Sequence, residues 1–139
     1  MGLLLRLRAA WHVPRLAHVP PVLVGDEQRY EWLATELLQG RVFPEPGAMP
    51  LYPSFLAACY RLFGHTYGPV LILQAVIAAS VIPLTYLLAR RFTDRWAACL
   101  AASLVAVHPT LIDHAARLYT EALYVPLLVA AVLALVWAL

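Results

Sequence analysis

The chain contains no lysine, and all ten of its basic side chains are arginine. Charge of either sign is scarce: eight acids against ten arginines leave a net charge of +2 over 139 residues. That balance gives no case for nucleic acid as a partner. Cysteine is nearly absent as well. Cys59 and Cys99 lie in unrelated segments without CxxC spacing, among alanines and aromatics. Each therefore reads as a small buried residue.

What fills the chain instead is hydrocarbon. Hydrophobic residues make up 63% of the sequence, far from the profile of a soluble domain, and this implies an all-α integral membrane protein. The clearest span is Pro69 to Ala89, uncharged and with only Gln74 strongly polar. At 1.5 Å per residue it reaches across about 30 Å of hydrocarbon. Pro83 falls inside it, where a kink is tolerable if Thr85 or a neighbouring helix satisfies the freed carbonyl. A second span runs from Trp96 to Ile112, interrupted by His108-Pro109, and a third from Ala122 to Leu139. The third is apolar to its last residue, so the polypeptide is expected to be incomplete at its C-terminus. Met1 to Val24 is apolar in outline but carries Arg6, Arg8, His12, Arg15 and His18 with three prolines. It reads as a degenerate or truncated first transmembrane segment, the remains of a fourth span. The expected division is thus 1–25, a non-cytoplasmic loop over 26–68, and spans at 69–89, 96–112 and 122–139.

Arg90, Arg91 and Arg95 crowd the short connection between two spans, and such loops stay on the cytoplasmic side. Residues 26–68 and 108–120 then share the opposite face, which puts Asp26 and Glu121 on one surface. Within 26–68 two juxtamembrane helices are expected. Tyr30, Leu33, Ala34, Leu37 and Leu38 recur at helical spacing and Gly40 can close that helix. After a turn rich in proline (Pro44, Pro46, Gly47, Pro50), Pro53 suits the start of a helix through Phe63 that Gly64 ends. Its aromatic side chains suit the headgroup level.

Each polar residue of interest has a structural reading. Asp26 can serve as the N-cap of a helix beginning at Glu27, its carboxylate accepting from the backbone of Gln28 or Arg29. Glu27 reads as a solvated first-turn acid that favours the helix dipole, with catalysis or metal contact as the alternative. Glu121 enters an apolar helix, where a carboxylate is costly unless paired or wet, and Arg117 is its i, i+4 partner. His108, Asp113 and His114 gather in one loop, yet their spacing matches no zinc signature. Most tyrosines and tryptophans read as interface anchors, with Trp32 and Tyr52 the best candidates for a sugar platform. A transporter would need ionisable groups in mid-span, which Gln74 does not supply.

Taken in order, Gly25-Asp26-Glu27, Tyr30, Ala34, Leu38, Gly40, Phe43, Pro50-Leu51-Tyr52-Pro53 and Tyr60-Arg61-Leu62-Phe63-Gly64 resemble the first periplasmic loop of GT-C glycosyltransferases. Leu73-Gln74-Ala75, Tyr86 to Arg91, His108-Pro109 and Thr120-Glu121-Ala122-Leu123 continue the resemblance. The nearest type is the polyprenyl-phosphate-sugar transferases, such as protein mannosyltransferases and aminoarabinose transferases. Members have many more transmembrane helices, so the likeness is to the N-terminal part of the catalytic module.

The resemblance implies inverting transfer of a sugar from a polyprenyl-phosphate donor to a hydroxyl of a glycan, lipid or protein acceptor. Its setting would be a bacterial plasma membrane, with membrane lipid around the chain and the site facing the periplasm or exterior. Asp26 matches the family's catalytic acid and would act as general base. Glu121 matches a second acidic position near the lipid phosphate. Glu27, Tyr52 and Arg117 are the expected substrate-binding residues. The departing phosphate needs positive charge, from arginine or from a divalent metal that some relatives use. No metal ligand set is assigned. The competing reading is a non-catalytic membrane remnant or an assembly partner whose acidic loop merely caps a helix.

Overall fold

A computed structural model describes residues 1–12, 23, 25–41 and 49–139. The expectations for 13–22 and for the proline-rich turn over 42–48 lie outside the described residues. Among those described, the chain is helical, in the order α1 (Gly2–His12), α2 (Asp26–Leu38), α3 (Leu51–Phe63), α4 (Tyr67–Ala79), α5 (Val81–Arg90), α6 (Arg95–Val107), α7 (Pro109–Ala115) and α8 (Glu121–Ala138).

Helices α4 and α5 run on as one apolar element, Tyr67–Arg90, long enough to cross a membrane, as is α8. The α6–α7 pair gives a third span if its 52° bend at His108-Pro109 lies within one crossing. Two helices are thus long and apolar enough to cross a membrane, and three if the bent pair is one span. Pro83 falls in the first turn of α5, just after an irregular step at Ser80. Ser80 Oγ donates to the Ile77 carbonyl at 2.6 Å and Thr85 Oγ1 to the Val81 carbonyl at 2.7 Å, so both hydroxyls bond within the helix they sit in. Asp94 caps α6 by accepting from the Ala97 amide at 2.8 Å, which fixes the tight turn holding Arg90, Arg91 and Arg95.

Both juxtamembrane helices form. Helix α2 closes at Gln39-Gly40, and α3 begins at Leu51, so that Pro53 is its third residue. They pack on each other and on α4, while α4 and α5 pack on α8, and α5 on α6. The core lies at this end of the molecule, where Ala34, Leu56, Tyr60, Val70, Leu71 and Leu118 meet. Between the long helices the buried residues are small (Ala75, Ala78, Ala98, Ala102), which allows close approach where lipid supplies no hydrophobic drive. Leu100, Leu104, Leu135 and Trp137 point outward, as lipid-facing side chains would. Cys59 is buried as expected, but Cys99 is exposed, because it lies on the outward face of α6 with Trp96, Leu100 and Ser103.

Arg6 and Arg8 do not break the helix they lie in. α1 is regular over its 11 residues, although at 1.5 Å rise it is too short to cross a bilayer alone. Arg6 is fully buried. Its Nη1 donates to the carbonyls of Gly2 (3.1 Å) and Ala106 (3.3 Å), and its Nη2 to that of Val105 (3.3 Å). The last two belong to the end of α6, where the Val105 carbonyl also accepts from the His108 amide at 3.4 Å. A residue that looked like damage to a hydrophobic helix thus caps another helix 100 residues away.

Gly64 ends α3 at φ 77 and ψ 172, a region open in practice to glycine alone. A Cβ there would meet nothing within 4 Å. Gly64→Ala is therefore expected to destabilise the protein through the backbone only, by about 1–3 kcal/mol, seen as a lower thermal unfolding midpoint in detergent. An unchanged midpoint would mean that the turn relaxes without cost.

Candidate functional site at the start of α2 and α8

Helix α2 starts one residue earlier than the sequence suggests. Its N-cap is Gly25, at φ 62 and ψ −122, and Asp26 is its first helical residue. The N-cap role expected of Asp26 is thus taken by a glycine whose backbone can adopt a conformation closed to other residues. Asp26 is exposed and forms no hydrogen bond or ion pair with another described residue. It keeps only the favourable field of the helix N-terminus.

Glu27 corrects a second expectation. It is not solvated: it is 1% exposed, and its Oε1 accepts from the Leu118 amide at 3.3 Å. Successive helical residues are separated by about 100°, so one acid of the pair must turn inward when the other turns out. The signal was in the sequence, since Glu27 lies one turn before Tyr30 and two turns before Ala34 on the stripe that packs against the core. Glu31 shares this side. Its carboxylate accepts from the hydroxyls of Tyr60 and Tyr67 and bonds His65 Nε2, tying α2 to the α3–α4 turn.

Tyr52 is fully buried. Its ring meets Tyr30 edge-on at 5.1 Å and Phe55 at 6.0 Å. Burial raises its phenol pKa well above the ordinary value. An enclosed ring offers no face to a sugar, so the platform role expected of Tyr52 is not available in this arrangement. The reason is positional: Tyr52, Leu56, Cys59 and Tyr60 form the inner stripe of α3. Trp32 retains an open surface, at 46% exposure.

The Tyr52 hydroxyl donates to Gln74 Oε1 at 2.6 Å. On its other side, Gln74 Nε2 lies within donating distance of the carbonyls of His114 (3.1 Å), Ala115 (3.2 Å) and Arg117. Carbonyls only accept, which settles the orientation of the amide and makes Tyr52 the donor. Gln74 is itself fully buried. The lone polar residue of the first span is therefore spent on the chain between α7 and α8.

That chain decides the fate of Arg117. An i, i+4 pair with Glu121 needs continuous helix, but α7 ends at Ala115 and α8 begins only at Glu121. Arg117 instead bonds backwards, its Nε to Asp113 Oδ1 at 3.1 Å. The pair is exposed; the bond to Asp113 raises the guanidinium pKa, with a small further contribution from the charge of Glu27. Glu121 opens α8, half-buried, and with His114 lines a small recess walled by Ala78, Val81, Leu111 and Val125. The His114 ring stands edge-on to Tyr119 at 5.2 Å. His108 is exposed at the α6–α7 break. Among the described residues, no three of His, Cys, Asp and Glu gather as a metal site.

Two distant carboxylates meet electrostatically at Tyr30. Its phenol pKa is raised first by burial, then by the charges of Asp26 and Glu121, against a smaller opposing effect of Arg29. The first residues of α2 and α8 thus both act on the Tyr30 phenol through their charge, and Asp26 is the exposed one of the two. Replacing Asp26 by Asn, or Glu121 by Gln, is expected to lower the ionisation pH of Tyr30, followed by titrating a fluorotyrosine placed at that position. A substitution that leaves the titration unmoved would separate that carboxylate from the site.

The family model described as dolichyl-phosphate-mannose-protein mannosyltransferase matches residues 45–139. No curated protein and no solved structure matches the chain.

Proposed function

The chain belongs to the dolichyl-phosphate-mannose-protein mannosyltransferase family, and we propose from this that it transfers a sugar from a polyprenyl-phosphate donor to an acceptor hydroxyl, with Asp26 as general base. The observation that carries the assignment is the division of labour at the start of α2. Gly25 makes the turn, Glu27 holds the 118 amide, and Asp26 is left exposed with its carboxylate uncommitted.

The reaction joins the acceptor oxygen to the anomeric carbon as the bond from that carbon to the phosphate oxygen breaks. The acceptor proton passes to the Asp26 carboxylate and the bonding pair leaves with the phosphate. Attack from the face opposite the phosphate inverts the anomeric carbon. Positive charge builds on the sugar ring in the transition state, so a carboxylate at that position also stabilises it electrostatically. Glu121, in its recess at the head of α8, is the second acid of this site. Its place at the entry of an apolar helix suits a group that orients the phosphate end of the donor. Arg117, exposed and paired with Asp113 through Nε, is a cation that could meet a phosphate oxygen with its remaining donors.

Topology supports an extracytoplasmic site. The Arg90, Arg91 and Arg95 turn is exposed at one end of the span. Tyr67 begins that span at its other end, and its 24 residues cover about 35 Å at helical rise. Retention of the arginines on the cytoplasmic side would put α2, α3 and the α7–α8 connection on the outer surface of a bacterial plasma membrane.

In the whole protein, Asp26→Asn is expected to reduce transfer by about 10²–10⁴-fold, the usual scale for a general base, while membrane insertion and abundance stay unchanged. A radiolabelled polyprenyl-phosphate sugar assay on membranes, with an immunoblot for amount, measures both. Transfer surviving in the Asn variant would remove Asp26 from the chemistry and favour a non-catalytic role for the acidic loop.

A further inference from the structure

We propose that Gln74 is a positioning residue for this site: by holding the 114–117 backbone against α4 and Tyr52, it sets where Glu121 stands relative to Asp26. The inference rests on the transferase reading for its catalytic consequence, but its geometric part stands on observed bonds alone.

A buried primary amide has two protons to give, and here three carbonyls compete for them, those of His114, Ala115 and Arg117. One proton is shared, so the amide grips a strip of backbone rather than a single atom. The strip is the one that needs it. α7 ends at Ala115, and although the His114 and Arg117 carbonyls also accept from the amides of Arg117 (3.4 Å) and Tyr119 (2.8 Å), the chain must turn before α8 begins at Glu121. The same strip is held from the opposite side by Glu27, whose carboxylate accepts from the Leu118 amide. Glu27 adjoins Asp26. Two buried polar side chains from different helices therefore clamp one segment, and the two ends of the clamp carry the two acids. Tyr52 completes the arrangement by fixing the acceptor end of the Gln74 amide, so that its donor end faces the strip.

A polar side chain serving only the stability of α4 would need one partner on a neighbouring helix. Gln74 instead spends every donor on the connection that leads to Glu121. Neither apolar nor anionic replacements can substitute: leucine removes the donor that the three carbonyls share, and glutamate sets negative oxygens against them.

The test uses the whole protein in lipid nanodiscs, in a Cys59→Ala and Cys99→Ala background, with spin labels on Gln28→Cys and Thr120→Cys. Gln74→Leu is expected to shift or broaden the distance distribution between the labels. It should lower kcat for sugar transfer by about a hundredfold, the scale of a small misplacement of a catalytic group, while the donor KM stays within about threefold. Tyr52→Phe removes a single oxygen and keeps the test open if the Gln74 variant does not fold; it should move both readouts in the same direction by less. In the Gln74→Leu background, Tyr52→Phe should add nothing further, since the two act as one unit. An unchanged distance distribution in both variants overturns the proposal, as does a changed distribution with kcat intact while Asp26→Asn is inactive. If Asp26→Asn remains active, the base assignment has failed and the distances alone decide the role of Gln74.

Discussion

Every backbone carbonyl that leaves a helix inside a protein of this composition must find a donor, because hydrocarbon offers none. The chain breaks its helices at His108-Pro109 and again between Ala115 and Glu121. At each break one buried polar side chain adds its donors to the backbone bonds already there. Arg6 donates to the carbonyls at the end of α6, and Gln74 to those at the end of α7. The rest of the arrangement depends on these bonds. They allow the third span to bend and to deliver a non-helical connection beside α2, and they lock α1 and α4 to it. A continuous helix through this region would need no such donors, but it would also carry Glu121 past the first loop instead of starting a new helix next to it.

The long elements were legible because their signal is collective. A run from Pro69 to Ala89 without a charge, or a stripe at 30, 33, 34, 37 and 38, survives any single exception. Glycine was legible for a related reason: Gly40 and Gly64 end helices in conformations that only glycine takes readily. The partners of individual polar residues were not. Arg6 and Gln74 bond to backbone of residues 105–106 and 114–117, and backbone acceptors leave no mark in a sequence. Arg117 was assigned to Glu121 by counting four residues forward, which holds only within a helix; the turn between α7 and α8 reversed the choice to Asp113.

The candidate site shows the same division. Counting spans put Asp26 and Glu121 on one surface, and the charges of both act on the Tyr30 phenol. What the sequence did not separate was Asp26 from Glu27, since both are acids in a first turn. Their difference comes from the rotation of one residue along α2. Tyr52 shows the converse case, an aromatic side chain suited to either a sugar or a core, which the inner stripe of α3 commits to the core.

An acidic pair at the head of a helix that lies along a core edge therefore does two jobs by geometry alone. The inward acid loses most of its water and must be repaid with donors, which makes it a fixed point: Glu27 anchors the chain at residue 118. The outward acid is held by the same helix but keeps its solvent and its lone pairs. A general base needs both conditions, a defined position and an uncommitted carboxylate. An exposed acid on a free loop would have the second without the first, and a capping acid the first without the second. Gly25 removes the conflict, because a glycine N-cap turns the chain without recruiting the neighbouring carboxylate. If Asp26 is the base as proposed, the glycine and the two acids act as one unit, in which exchanging Asp26 and Glu27 would preserve composition and charge yet change the length of both the anchor and the proposed base.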